Sequence, residues 1–159
     1  MILVPFDPRA TDQIMQYYFD PIYSHFARGQ RKYLNVDEVS RLPQYLDNEV
    51  LMVLEDDKVI GLITIDDKVA GVVCGGFVLH KDYLRKGLAP TLWNLFEDYA
   101  FNKKRARIIT FEIISKDTWL GAFLEKFGCT KVLELENYFE LEGKLEAISF
   151  YIKRRPTNG

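Results

Sequence analysis

One stretch constrains this chain more than any other. It runs from Phe77 to Ala100 and reads Phe-Val-Leu-His-Lys-Asp-Tyr-Leu-Arg-Lys-Gly-Leu-Ala-Pro-Thr-Leu-Trp-Asn-Leu-Phe-Glu-Asp-Tyr-Ala. An apolar run from Val72 to Leu79 stops at a charged turn carrying Arg85, Lys86, Gly87 and Ala89. Leu88, Leu92, Leu95, Phe96 and Tyr99 then recur at the spacing of one helix face. The pattern is strand, basic turn, helix start. The first N–H groups of a helix lack intrahelical acceptors and together carry roughly half a positive charge. Small residues there let an anion come close, and neighbouring cations add attraction. The stretch therefore predicts a seat for a pyrophosphate.

The rest of the composition bounds what such a seat can belong to. A chain of 159 residues, 48% hydrophobic, is expected to form one domain over residues 1–155, with 156–159 as a fraying tail. A net charge of −2 gives no global attraction to nucleic acid or to an anionic membrane. No apolar run approaches the roughly 18 residues of a membrane span. Met1-Ile-Leu-Val-Pro-Phe-Asp7 has no basic region followed by a long apolar core, so a cytoplasmic protein is expected. Cys74 and Cys129 are far apart and read as reduced thiols, and the two histidines show no metal-ligand spacing.

Taken in order, residues 1 to 9 read as a short strand ending at Asp7-Pro8. Ile14, Met15, Tyr18, Phe19, Ile22 and Phe26 follow helical spacing, with Pro21 as an interruption. Asn35 and Glu38 form a capping-box-like start for a helix from Val36 to about Leu46, whose last turn Pro43 disturbs. Three strands follow, at Val50–Glu55, Val59–Ile65 and Val69–Leu79, separated by Asp-Asp-Lys turns. Gly75-Gly76 inside the third predicts a bulge or close approach by a ligand. The helix after the basic turn ends near Phe101-Asn102, and Ile108–Ile114 is a strand, so the unit is a parallel crossover. Asp117 caps a helix over Thr118–Phe127, and Gly128 ends it. Thr130–Leu135 and Leu145–Lys153 are the last strands, joined through Asn137 to Gly143.

This order, with a basic glycine turn opening the third helix, resembles the GCN5-related N-acetyltransferase (GNAT) family. Leu84-Arg85-Lys86-Gly87-Leu88-Ala89 is similar to the family's Gln/Arg-x-x-Gly-x-Gly/Ala motif, with Leu84 in place of Gln or Arg. Phe111-Glu112-Ile113-Ile114-Ser115-Lys116-Asp117 resembles Leu-Glu-Val-x-x-x-Asn. Phe123-Leu124-Glu125-Lys126-Phe127-Gly128-Cys129 resembles Leu-Tyr-Glu-Lys-x-Gly-Phe, with Leu124 where the family carries Tyr. The resemblance covers most of the chain from Glu49 onward. It implies an α/β, three-layer fold: a mixed, mostly antiparallel sheet of six to seven strands flanked by about four helices.

It further implies an acetyl-CoA-dependent N-acetyltransferase, without a metal, acting on an amine of a small molecule or a protein. The cofactor site would comprise Phe77 and Leu79 on the third strand, the turn residues Arg85, Lys86, Gly87, Leu88 and Ala89, and Asp117. Gly75 and Gly76 would keep the site open. Glu112 interrupts an apolar strand, and is read either as the general base or as the cross-strand partner of a cation. No general acid stands out, because Leu124 replaces the Tyr; Tyr138, Tyr83, His80 and Cys74 are the substitutes at hand. The basic connector Lys103 to Arg107 reads as solvated charge, and Trp93 and Trp119 as packing. Folds of this kind often pair as homodimers through sheet edges. A reading of a different class is a degenerate fold of this family, kept as a non-catalytic binding or structural module of viral or mobile-element type. It rests on the departures at Leu84, Asp117, Leu124 and Cys129.

Overall fold

The computed structural model describes residues 1–19, 34–83, 85–141 and 143–157. Strand β1 (Ile2–Pro5) leads to Asp7, whose carboxylate accepts from the Arg9 N–H and caps a single 3-10 turn before helix α1 (Thr11–Phe19). Pro21, the aromatic residues Tyr23, Phe26 and Tyr33, and the basic stretch from Arg28 to Lys32 lie outside the described residues. The capping box forms as expected: Glu38 N–H donates to Asn35 Oδ1 at 2.8 Å, and Asn35 N–H donates to Glu38 Oε1 at 3.2 Å. The helix it opens does not run unbroken to Leu46. It divides at Arg41 into α2 (Val36–Ser40) and α3 (Leu42–Leu46). Pro43 has no N–H to return to the preceding turn, and its ring clashes with the carbonyl four residues back.

Strands β2 (Glu49–Glu55) and β3 (Lys58–Asp66) form a hairpin over Asp56 and Asp57. Both have positive φ, 50° and 63°, the backbone a two-residue type I′ turn requires. Strand β4 spans Val72–Leu79, three residues shorter at its start than expected. Gly71, at φ 76°, turns the chain against the Arg107 guanidinium and leaves Val69 outside the ladder. Helix α4 (Ala89–Asp98) continues as a π turn over Tyr99–Lys103. Then come β5 (Ile108–Ile114), α5 (Thr118–Lys126), β6 (Thr130–Leu141) and β7 (Lys144–Arg154). Strand β6 is twice the expected length. Asn137, at φ 51°, sits within a register shift between Leu135 and Phe139, and pairing with β7 then resumes to Leu141↔Lys144.

The seven strands lie in the order β1-β2-β3-β4-β5-β7-β6. Every pairing is antiparallel except β4 with β5, whose crossover carries α4. On one face, α4 and α5 bury Leu92, Trp93, Phe96, Phe123 and Leu124 against Ile63, Ile65, Val73, Ile109, Phe111 and Ile113. On the other, α1, α2 and α3 bury Ile14, Met15, Val39 and Leu42 against Val50, Met52, Leu62 and Val78. These are the three layers expected, with five α-helices among the described residues.

Candidate active site

The parallel pair at the centre of the sheet comes apart. Strand β4 is in register with β5 only at Val72↔Ile108, Val73↔Ile109 and Cys74↔Thr110. Past Cys74 the strands diverge, while β4 stays paired to β3 as far as Leu79↔Gly61. The direction of the β4 amides follows from the ladder. His80 N–H donates to Ile60 O at 2.7 Å, so Ile60/His80 belongs to the hydrogen-bonded series, and Leu62/Val78 and Thr64/Gly76 with it. The alternate residues, Phe77 and Leu79, direct their amides away from β3, toward the side where β5 has splayed off.

The predicted anion seat stands at the mouth of this gap. Arg85 and Gly87 both have positive φ, 60° and 72°, and Leu88 returns to the right-handed region at φ −86°, ψ −14°. Alternating left- and right-handed backbone turns successive N–H groups into one concavity, an arrangement that binds anions. A Cβ built on Gly87 meets nothing within 4 Å, so the space above the turn is open. Helix α4 starts with Leu88 at its N-cap, which offers no side-chain hydrogen bond, and has no acidic residue in its first turn. In α2 and α5, by contrast, Asn35 and Asp117 cap the first N–H groups. Pro90 falls in the first turn of α4, where a missing N–H costs little. Arg85 and Lys86 are exposed, and the Lys86 ammonium lies 5.7 Å from the centre of the Tyr83 ring. Leu84 lies outside the described residues.

Glu112 occupies the opposite face. Phe111 and Ile113 point into the α4/α5 layer, so the residue between them faces the α1–α3 side, opposite Phe150 of β7. It is half-buried. The seat for an anion and the carboxylate are thus on the two sides of the sheet, near the place where β4 and β5 separate.

The remaining candidates are more dispersed. The Asp117 carboxylate accepts from the Leu120 N–H at 3.1 Å and so caps α5. Leu124 is fully buried in the α4/α5 core. Of the substitutes for the missing Tyr, Tyr138 is exposed on β6 against Phe150, and Tyr83 packs at the edge of the α4/α5 core. Cys74 ends the part of β4 that pairs with β5. His80 Nδ1 accepts the Asp82 N–H, 3.2 Å away.

Three expectations are corrected. Gly75 and Gly76 do not hold the gap open. A Cβ on Gly75 would come within 2.6 Å of the Phe96 ring and 2.9 Å of the Phe111 ring, and one on Gly76 within 2.5 Å of Thr64 Oγ1. Their space is filled by the protein's own side chains. The basic connector is not simply solvated: the Lys104 ammonium pairs with Glu49 and Asp67, each at 3.1 Å, and Arg107 lies against Gly71. It sits at the far end of α4 from the anion seat. Trp93 is buried as expected, but Trp119 is 57% exposed and only stacks on Phe123.

Comparison with known proteins places this architecture. Residues 14–129, well over half the chain, match the family model described as the acetyltransferase (GNAT) family. The chain belongs to that family, and its enzyme class is accordingly that of an acyltransferase. Among solved structures it is similar to the spermidine N-acetyltransferase from Vibrio cholerae in complex with CoA and spermine. The identity is 18%, the TM-score is 0.83, and the match covers 96% of this chain and 94% of that one. It is also similar to the ribosomal-protein-alanine N-acetyltransferase from Brucella melitensis, at 13% identity and TM-score 0.78, with 98% and 100% covered. A third is yncA from Salmonella typhimurium with its cofactor acetyl-CoA, at 16% identity and TM-score 0.74, with 96% and 92% covered. At these identities the likeness is one of fold. No curated protein matches the sequence.

Proposed function

We propose that this chain is an acetyl-CoA-dependent N-acetyltransferase that transfers the acetyl group directly to an amine. The observation that carries the proposal is the uncapped start of α4, with the open turn at Gly87, set at the mouth of the β4–β5 gap. An extended cofactor with a pyrophosphate at one end and a thioester at the other fits that layout. The N–H groups of the Arg85–Ala89 turn and of the first turn of α4 would hold the pyrophosphate, with Arg85 and Lys86 adding charge. The amides of Phe77 and Leu79 face the gap, where they would bind the thioester carbonyl and the arm behind it. Asp117, by fixing the start of α5, shapes the wall past the end of β5.

Acetyl-CoA, once bound, supplies an activated acyl carbon, to which the amine nitrogen bonds as the carbon–sulfur bond breaks. Glu112 faces the side from which the amine would arrive and would accept the proton that the ammonium must lose. No acid is required on α5. A thiol with a pKa of about 8.5 leaves as a thiolate without one, more slowly than with one. The two cysteines are free thiols, in keeping with a cytoplasmic enzyme.

Calorimetric titration with CoA tests the seat. The wild-type protein is expected to bind saturably, and Gly87→Glu to bind at least about tenfold more weakly, through bulk and like charge at the turn. Gly87→Ala carries the same backbone strain without the charge, and is expected to lose less. Absence of binding by the wild type at millimolar CoA would sink the proposal.

A further inference from the structure

We infer that the Phe77 ring is the wall that restricts this enzyme to short acyl groups, an inference that rests on the acetyltransferase reading above. Beyond Cys74↔Thr110 the backbones of β4 and β5 separate, but their side chains do not leave the space empty. The rings of Phe77 and Phe111 stack across it, centroids 5.4 Å apart and planes 24° from parallel. Phe96 packs edge-on against Phe77 at 4.8 Å, with Trp93 and Phe123 at 6.1 Å and 6.0 Å.

Four of these five rings have almost no surface. Phe96 is 0% exposed, Trp93 and Phe111 2%, and Phe123 8%. Phe77 is only partly buried, and it alone of the five stands on the β4 edge that borders the gap. The cluster is filled down to the backbone beneath it, since even a single carbon added at Gly75 would strike Phe96 and Phe111. Strand geometry does the rest. The Phe77 amide lies in the plane of the sheet and faces the gap, while its ring rises into the α4/α5 layer, the layer that carries the anion seat. A thioester carbonyl bound at that amide starts its acyl tail beside the ring. Two carbons clear it. A longer tail meets a ring backed by four others at interior packing density, which does not yield without strain.

The test needs no acceptor. Wild type, Phe77→Ala and Phe77→Leu are titrated calorimetrically with free CoA, acetyl-CoA and hexanoyl-CoA, and each affinity is normalised to the same protein's affinity for free CoA. Wild type is expected to bind acetyl-CoA within about threefold of CoA, and hexanoyl-CoA at least about tenfold more weakly than acetyl-CoA. In Phe77→Ala the hexanoyl deficit falls to less than about threefold, and Phe77→Leu lies between. Melting curves establish that each variant is folded. If Phe77→Ala is not, Phe77→Leu decides, because it keeps most of the packing and still shortens the wall. Equal binding of hexanoyl- and acetyl-CoA by wild type overturns the inference, as does an undiminished deficit in a folded variant. Either outcome leaves the acetyltransferase reading standing. Failure of wild type to bind free CoA overturns both.

Discussion

Glu112 owes its position to alternation along β5. Phe111 and Ile113 are both buried against α4 and α5, so the carboxylate between them must emerge on the other face, half-buried and opposite Phe150. Glu112→Gln keeps the size and removes the carboxylate proposed as the base. With acceptor chosen from a panel of spermine, lysine and an alanine-terminated peptide, release of CoA thiol is expected to fall by about 10²- to 10⁴-fold, while CoA affinity changes less than about twofold. Turnover at the wild-type rate would remove Glu112 from the mechanism. The sequence makes Glu112 conspicuous as an acid inside an apolar strand, and leaves its role open between base and cross-strand partner. The turn at Gly87 is legible too, because its chemistry is local. Gly75 and Gly76 were misread for the converse reason. What a missing Cβ makes room for is decided by Phe96, Phe111 and Thr64, which stand elsewhere in the sequence. Asp117 is ambiguous in the same way: an N-cap and a cofactor contact call for the same residue type, and the bond to the Leu120 N–H shows only the first.

At the scale of elements, α4 is anchored at the end away from its anion seat. The π turn Tyr99–Lys103 brings the Tyr99 hydroxyl to Glu49 at the start of β2, and Lys104 bridges Glu49 and Asp67, both at 3.1 Å. Burial works against the Lys104 charge, but the hydrogen bonds to Asp67 and Glu49 outweigh it and raise the pKa to about 12. Lys104→Met leaves two carboxylates facing each other without their cation. The expected cost is about 0.5–1 kcal/mol, read as a lower urea midpoint, with faster amide exchange at Phe101 and Asn102 and little change in exchange along β6. An unchanged midpoint would mean that the staple contributes nothing. The sequence showed the basic connector but not its partners, Asp67 and Glu49, which stand far away along the chain. Strand β6 was shortened for a related reason: Asn137 resembles a turn residue, and only the resumed pairing with Glu146 shows it to be a bulge.

The whole molecule was the most legible scale, since the crossover followed from a strand, a helix and a strand in succession, and three local motifs fell on the right elements in the right order. Its stability at high pH depends on Tyr99, Lys104 and Cys129, which lie on different elements. Burial pushes the Cys129 thiol from 9.0 up to about 11, Lys153 opposing and Glu97 assisting. Burial, and then the bond to Glu49, pushes the Tyr99 hydroxyl from 10.0 to about 12, and Lys104 rises from 10.5 to about 12. All three keep their protons in the folded state at a pH where the unfolded chain has released them. The folded state then binds more protons than the unfolded one, so stability falls as pH rises. The contribution is intact below pH 9 and is lost between pH 9 and 12, Cys129 acting first. Cys129→Ala isolates that group. At 5% exposure the substitution carries a cavity cost that does not vary with pH, but the difference in unfolding free energy between wild type and variant should shrink by about 2–3 kcal/mol from pH 8 to pH 11. Urea titrations at each pH measure it. Parallel curves for the two proteins would show that the Cys129 thiol ionises as freely in the folded protein as in the unfolded chain.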